Sequence, residues 1–405
     1  METSLHLVEK FPWQKWASLL LAITLLAVPI SSTAKSIGIA LSVLTILLSP
    51  SLRADIWSVL SEKWCIAAYI LFLLAVIACF WSPAAFADKA FVIEKYSKLL
   101  YLPILVAGFQ HGKTRQMSIH AFLLAMIITS TLSILKFHGY LQSFNFKPDF
   151  VFRNHIMTGF MVAFATYLSC LLAHRRSGYT RSVYVLLAIF FTYHVLFVNS
   201  GRTGYVMYFL LMGLFTFQFR TLRHIVMWLL LVISVFLMSY FKGHNSVMKT
   251  RVNDAAQQVQ SYKQNKKKNT DIGHRLQFHH FAHELLTRHV LFGNGTASFT
   301  YYFQKEKPVS SWTWRLWEPH SQYWLVAAEF GLTGLAALLF FFFSLFMTSL
   351  QLDKTKAVAL AMLIPFMIGN LSDSLLFYSG SGYFFLLFMA LCLGEKVEMG
   401  KRKNG

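Results

Sequence analysis

Arg202, Arg275 and His320 are the residues whose types and surroundings point to chemistry. His320 stands in EPHSQYWLVAAEFGLTG, after Pro319 and in the first turn of a long apolar run. The positive end of a helix dipole disfavours imidazolium there, and a neutral imidazole is what a general base requires. Trp312, Trp314, Trp317, Tyr323 and Trp324 surround it as an aromatic belt, which sets it at headgroup height and offers faces for stacking on sugars. Arg202 stands in VNSGRTGYVMYF, between two apolar runs. An arginine at that boundary is costly unless it is paired or lines a wet cavity. Its fork of donors suits a phosphate or carboxylate, and Asn199, Ser200, Gly201, Thr203 and Gly204 suit a tight turn with free backbone N–H groups. The bland alternatives are an interfacial histidine and an arginine that snorkels as an orientation anchor.

Arg275 lies in a helical pattern with His279, His280 and His283 after it. His279 and His283 can share a helix face, so a metal site is conceivable. No cysteine or carboxylate cluster completes it, and Glu284 makes no HExxH pattern, so no metal is expected. There is no Gly-rich nucleotide cradle, Walker motif or Asp-x-Asp pair, so no cofactor is expected either. An enzyme working outside the cell membrane has no ATP and must take an already activated donor.

The elements that position these residues are apolar helices. The chain has 405 residues, of which 56% are hydrophobic, 16% aromatic and only 13% charged. Its mean hydropathy is +0.51. Soluble domains carry about 25% charged residues, so the composition indicates an all-α polytopic membrane protein. About 12 spans fit the ruler of ~17–25 apolar residues. They fall near 16–34, 36–50, 64–82, 96–110, 118–137, 155–173, 182–199, 203–219, 223–241, 321–350, 357–372 and 382–395. Pro103 within the fourth is expected to kink it. The first apolar run lacks a small-residue cleavage site and is expected to stay as a helix rather than be removed. Cys65, Cys79, Cys170 and Cys392 all lie in or beside apolar runs, which argues against a disulfide framework.

The formal charge of +20 sits mostly in short links, where it acts as a topology signal. With the N-terminus inside, the inner links hold roughly 17 Lys and Arg and the outer short links about 8. The outer set includes Lys35, Lys89, Lys95, Lys98, Lys136, Lys147, Arg153 and Arg202. Both termini are therefore expected to be cytoplasmic. The organisation follows: residues 1–241 carry nine spans, 242–319 form one long outer loop, 320–395 carry three spans, and 396–405 make a basic cytoplasmic tail. Two helices are expected in the loop, Ser246 to Tyr262 and His274 to His289. The second places Leu276, Phe278, Phe281, Leu285 and Leu286 roughly on one face and is suited to lie on a membrane surface. The run KQNKKKNTD (263–271) between them reads as solvated.

Four features together resemble the bacterial O-antigen ligase family: SGRTGY (200–205), an arginine and helix followed by HVLFGNG (275 and 289–295), the large outer loop, and PHSQYWLVAAEFGLTGL (319–335). The last is similar to the family's His-(Asn/Ser)-x-Tyr-Leu…Glu-x-Gly-x-x-Gly signature, with Ser321 where Asn is common and Trp324 where Leu is usual. The resemblance implies a glycosyltransferase with its active site at the periplasmic face of the bacterial inner membrane. It implies transfer of a glycan from undecaprenyl pyrophosphate to a sugar hydroxyl of lipid A–core in lipopolysaccharide biosynthesis, without metal or nucleotide. His320 would be the base, Arg202 and Arg275 would hold the pyrophosphate, and direct attack would invert the anomeric centre. Arg153 and His155 (FRNHIMTGF), and Asp373 and Tyr378 in the last outer loop, are further helpers for phosphate or acceptor.

An O-antigen polymerase and a protein O-oligosaccharyltransferase would use the same lipid-linked donor. One large loop near the C-terminal third favours the ligase. A transporter of lipid-linked glycans would need charges buried in mid-span to form a pathway. Here the polar residues crowd the outer boundary instead.

Overall fold

The computed structural model describes residues 12–141, 150–219, 247–264 and 268–404. The expected span at 223–241, together with Lys10, Lys147, Arg220, Arg223, Lys242 and residues 265–267 of the basic run, lies outside the described residues.

Among the described residues every regular element is helical. Seven helices are long and apolar enough to cross a membrane: Trp13–Ile30, Lys63–Phe80, Gly112–Phe137, His155–Arg175, Gly178–Val198, Gln322–Leu350 and Ser379–Arg402. The bent pair Ser32–Leu48 and Pro50–Leu60 makes up to 8 if counted as one span. The multi-pass helical class is thus as expected, while the described residues hold fewer full-length spans than the sequence ruler gives.

Proline and length account for the differences. The apolar run near 36–50 becomes two helices at 97°. Pro50 takes the first turn of the second, where its missing N–H costs nothing, and Ser49 caps it by accepting from the Leu52 N–H. The run near 96–110 is not one helix. Phe86–Ser97 ends, Lys98–Tyr101 tightens to a 3₁₀ turn, and Leu102–Gly108 follows with Pro103 in its first turn. Arg202–Gln218 has 17 residues, at the lower end of the ruler, and Lys356–Gly369 has 14, short of it.

The chain divides into two compact units. One comprises Met1–Val28, Ser32–His120 and Gln264–Gly405. The other comprises Pro29–Ser31 and Ala121–Lys263. In the first unit the Ser379–Asn404 helix carries residues 396–404 as its continuation, not as a loose tail. Its end is fastened by ion pairs of Lys396 to Glu62 and Lys401 to Asp55, both 2.7 Å, and of Arg115 to Glu398. In the second unit His155–Arg175 packs along both Gly178–Tyr193 and Arg202–Gln218 and is buried over most of its surface.

Within the 242–319 stretch three helices are described: Val247–Lys263, Asp271–Arg288 and Ser298–Glu306. The third was not anticipated, because Ala297 and Lys307 close it with left-handed backbone that no glycine announces. The apolar face of Asp271–Arg288 is buried against protein. Phe278 and Phe281 meet Phe303 edge-on at 5.5 and 5.8 Å, and Leu285 is fully covered. The face expected to rest on a membrane surface is used as core.

Candidate active site

The site in the first unit is built on a broken helix. Gln322–Leu350 is interrupted at Gly331, whose φ of 64° and ψ of −157° leave the helical region. A break of this kind strands backbone groups that must find partners elsewhere. The loop following Asp271–Arg288 supplies four of them. Asn294 and Gly295 donate their N–H groups to the carbonyls of Ala328 and Glu329 at 3.1 and 2.8 Å. The N–H groups of Leu332 and Thr333 donate to the carbonyls of Val290 and Leu291 at 2.8 and 3.1 Å. Asn294 Nδ2 adds bonds to Leu285 O and Ala328 O. The approach is so close that a Cβ on Gly293 would lie 2.5 Å from Glu329 backbone, and one on Gly331 2.4 Å from Leu291 O. HVLFGNG and EFGLTG, separate in the sequence, are two halves of one joint that fixes the helix carrying Arg275.

At the other end of that long helix, Ser321 is the N-cap and Gln322 the first helical residue. His320 therefore precedes the helix and is not in its first turn. Its φ is +57°, an uncommon backbone state for a side chain of this size. Its neighbours hold it there. The His320 N–H donates to Glu318 Oε2 at 2.6 Å, and its carbonyl lies 3.2 Å from His279 Nε2. The imidazole stacks on Phe278, with centroids 6.0 Å apart, and Trp312 meets Phe278 edge-on at 5.1 Å.

The ring nitrogen Nδ1 faces two carboxylates, Glu318 Oε1 at 3.2 Å and Asp373 Oδ1 at 3.6 Å. Burial pulls the His320 pKa down, but the neighbouring carboxylates of Asp373 and Glu318 outweigh it. The net shift is upward from the usual 6.5, opposed by the Arg275 charge. This is the reverse of what a helix dipole alone dictates, because two carboxylates face the ring and His320 stands just before the N-cap rather than in the first turn. Carboxylates facing Nδ1 favour the neutral tautomer that carries its proton there and leaves the Nε2 lone pair free.

Both carboxylates are themselves held. Glu318 is buried and accepts from three groups: the His320 N–H, Ser374 Oγ at 2.6 Å and the Tyr378 hydroxyl at 2.5 Å. Asp373 Oδ1 accepts from the Ser374 N–H at 3.0 Å. Burial raises the Tyr378 pKa, and the Glu318 charge raises it further, so the phenol stays a donor. Glu318, His320 and Asp373 bring their donor atoms within 4.8 Å of one another, close enough for a cation. The carboxylates' bonds to protein donors make them an orienting shell for the imidazole.

Arg275 and His279 occupy the Asp271–Arg288 helix beside this centre, and the Arg275 charge acts on His320, His279 and Tyr378. Burial, the largest influence, lowers the His279 pKa and keeps it neutral. His283 meets Trp324 and His280 lies 3.2 Å from Glu284, so the histidines of this helix have separate protein partners. Of the surrounding tryptophans, Trp312 packs on Phe278, Trp317 on Phe91 and Arg315, and Trp314 stands exposed.

The second unit holds Arg202, His155 and Arg153. A π-type turn, His194–Val198, ends the preceding helix with the Asn199 N–H bonded to His194 O at 2.9 Å. Asn199 Nδ2 then bonds Gly201 O, the Tyr205 hydroxyl bonds Asn199 O, and Arg202 becomes the first residue of its helix. Gly204 and Gly159 let two helices meet, since a Cβ on Gly159 would lie 2.9 Å from the Gly204 Cα. Gly201 lies directly against His155, within 3.0 Å of where its Cβ would be. Arg153 is buried, and burial lowers its pKa.

The structure thus gathers Arg275, His320, Asp373 and Tyr378 in one unit, and Arg202 and His155 in the other. Glu318, Ser374 and Gln322 were not singled out from the sequence. Glu318 had a visible signal: it stands two residues before His320 and is the one acid between Glu306 and Glu329 in the sequence. Residues 162–339 match the family model described as O-antigen ligase. No curated protein matches the chain.

Proposed function

We propose, from the match of residues 162–339 to the O-antigen ligase family model, that this chain is a membrane glycosyltransferase attaching a lipid-linked glycan to lipid A–core. The matched stretch contains Arg202, Arg275 and His320, and Asp373 and Tyr378 lie beyond it. The observation that carries the reading is the His320 imidazole, set with Nδ1 against Glu318 and Asp373 beside Arg275.

In this reading Nε2 of His320 takes the proton of an acceptor sugar hydroxyl while that oxygen attacks the anomeric carbon of the donor. The bond from that carbon to the pyrophosphate oxygen breaks, and undecaprenyl pyrophosphate leaves with the electron pair. Glu318 and Asp373 stabilise the imidazolium that forms, as a carboxylate does for a base histidine in acyl transfer. Arg275, in the same unit as His320, balances the negative charge growing on the leaving group, and the family resemblance gives Arg202 the same task. Attack opposite the leaving group inverts the anomeric centre, and no metal is required. The active site faces the periplasm, and both termini are cytoplasmic.

The purified full chain in lipid vesicles, given an undecaprenyl-pyrophosphate-linked glycan and lipid A–core, tests this. Glycosylated lipid A–core is the expected product. Elongated lipid-linked glycan would identify a polymerase, and no consumption of donor would remove the enzyme reading.

A further inference from the structure

Lys98 is 1% exposed, although its position in a short link marked it as one more topology charge. Its ammonium donates to three successive carbonyls, Leu376 at 2.6 Å, Phe377 at 2.9 Å and Tyr378 at 3.2 Å. An ammonium has three donors and no acceptor, so its capacity is spent on this one turn. Three consecutive carbonyls converge on a point only when the chain curls around it. Gly382 leaves the space, because a Cβ there would lie 2.6 Å from Lys98 Nζ. A second buried lysine, Lys35, bonds the next residue through Ser379 Oγ at 3.0 Å. The Phe377 N–H, between the gathered carbonyls, donates to Gln322 Oε1 at 2.9 Å, two residues from His320. The turn so held carries Tyr378, Ser374 and Asp373, which reach Glu318 and His320.

We propose that Lys98 is a positioning residue for the His320 centre: its ammonium gathers the Leu376, Phe377 and Tyr378 carbonyls and so sets Tyr378, Ser374 and Asp373 against Glu318 and His320. The catalytic part of this rests on the proposed function; the positioning part does not. Lys98 touches no substrate, so its loss lowers turnover and leaves binding intact.

The test uses the full chain in lipid vesicles with the undecaprenyl-pyrophosphate glycan and lipid A–core. Lys98→Met should lower kcat by roughly tenfold or more with KM unchanged, and Lys98→Arg should recover most of the loss. On an Asp373→Asn background Lys98→Met should cost less than it does in the unaltered chain, because part of its effect runs through Asp373. A raised KM at normal kcat, or full additivity, would overturn the proposal. If Lys98→Met does not fold, Gly382→Ala crowds the ammonium while keeping it and must show the same loss of kcat; normal turnover in that variant contradicts the proposal. A readout independent of transfer is the nitrogen-15 titration of the His320 imidazole. That ring faces Glu318, Asp373 and Tyr378 on one side and Arg275 and His279 on the loop helix. Lys98→Met should lower its midpoint, and an unchanged midpoint overturns the positioning role. If the unaltered chain transfers nothing, the ligase reading fails while this titration still decides Lys98.

Discussion

Glu318 holds His320 twice, accepting its backbone N–H at 2.6 Å with one oxygen and facing its Nδ1 at 3.2 Å with the other. One buried carboxylate therefore sets both the left-handed backbone and the orientation of the ring. Glu318→Gln keeps the volume but replaces one oxygen by an amide that cannot accept. The three present donors then compete for a single acceptor. Transfer should fall by about 10²-fold or more, as when a base histidine loses its orienting carboxylate. Initial rates of lipid A–core glycosylation by the purified variant check this, with donor binding retained.

The same carboxylates determine the pH response. His320 must be neutral at Nε2 to accept a proton, and its pKa is raised above 6.5. The rate of transfer should therefore rise with pH through that raised value. Asp373→Asn removes the largest raising influence, so its acidic limb should move to lower pH. For stability the sign runs the other way: a histidine raised on folding stabilises most below 6.5, and the contribution is lost as pH rises through the folded value. Unfolding midpoints of the unaltered chain and Asp373→Asn should converge as pH increases. A pH–rate profile that does not shift in Asp373→Asn would argue against the pairing.

Under the proposed function Arg202 and Arg275 each serve the leaving group, not the acceptor. Replacing either by Ala should lower kcat by roughly 10²-fold, the usual scale for a group that stabilises developing charge. Lysine keeps charge but loses the fork, and should recover only part. KM for the lipid A–core acceptor should remain unchanged in each variant. A rise in acceptor KM at unchanged kcat would move that arginine to acceptor binding.

Gly331 and Gly293 carry the joint between the broken helix and the loop. Gly331→Ala places a methyl 2.4 Å from Leu291 O at a φ of 64°. The backbone conformation alone costs about 1–3 kcal/mol, and the overlap adds to it. The thermal midpoint of the purified protein should drop, and proteolysis should open first between Arg288 and Ser298. A midpoint unchanged by Gly331→Ala would mean that the joint is not under constraint.

Much of this was legible in the residues. Apolar length gave the membrane helices, and PHSQYW marked the approach to a span where His320 lies. The GNG turn was read as a turn, but its partner was invisible. Nothing in HVLFGNG says that its carbonyls and N–H groups complete a helix broken some 40 residues later, since such pairing depends on tertiary contact. Asp373 was placed near the outer boundary by topology alone, and its contact with His320 follows from a turn folded around Lys98. Lys98 itself misled, because a lysine in a short link reads as a topology charge until its burial is seen. Pro103 was expected to kink a span; it instead stands in the first turn of a short helix, as Pro50 does, where proline is at no disadvantage.

His320→Ala, produced in a host lacking its own ligase, tests the central claim most directly. The variant must first be shown to reach the inner membrane at normal level. The account expects long-chain lipopolysaccharide to disappear while lipid-linked polymer accumulates, with the unaltered chain restoring the ladder. An intact ladder in His320→Ala would contradict the assignment of His320 as the base.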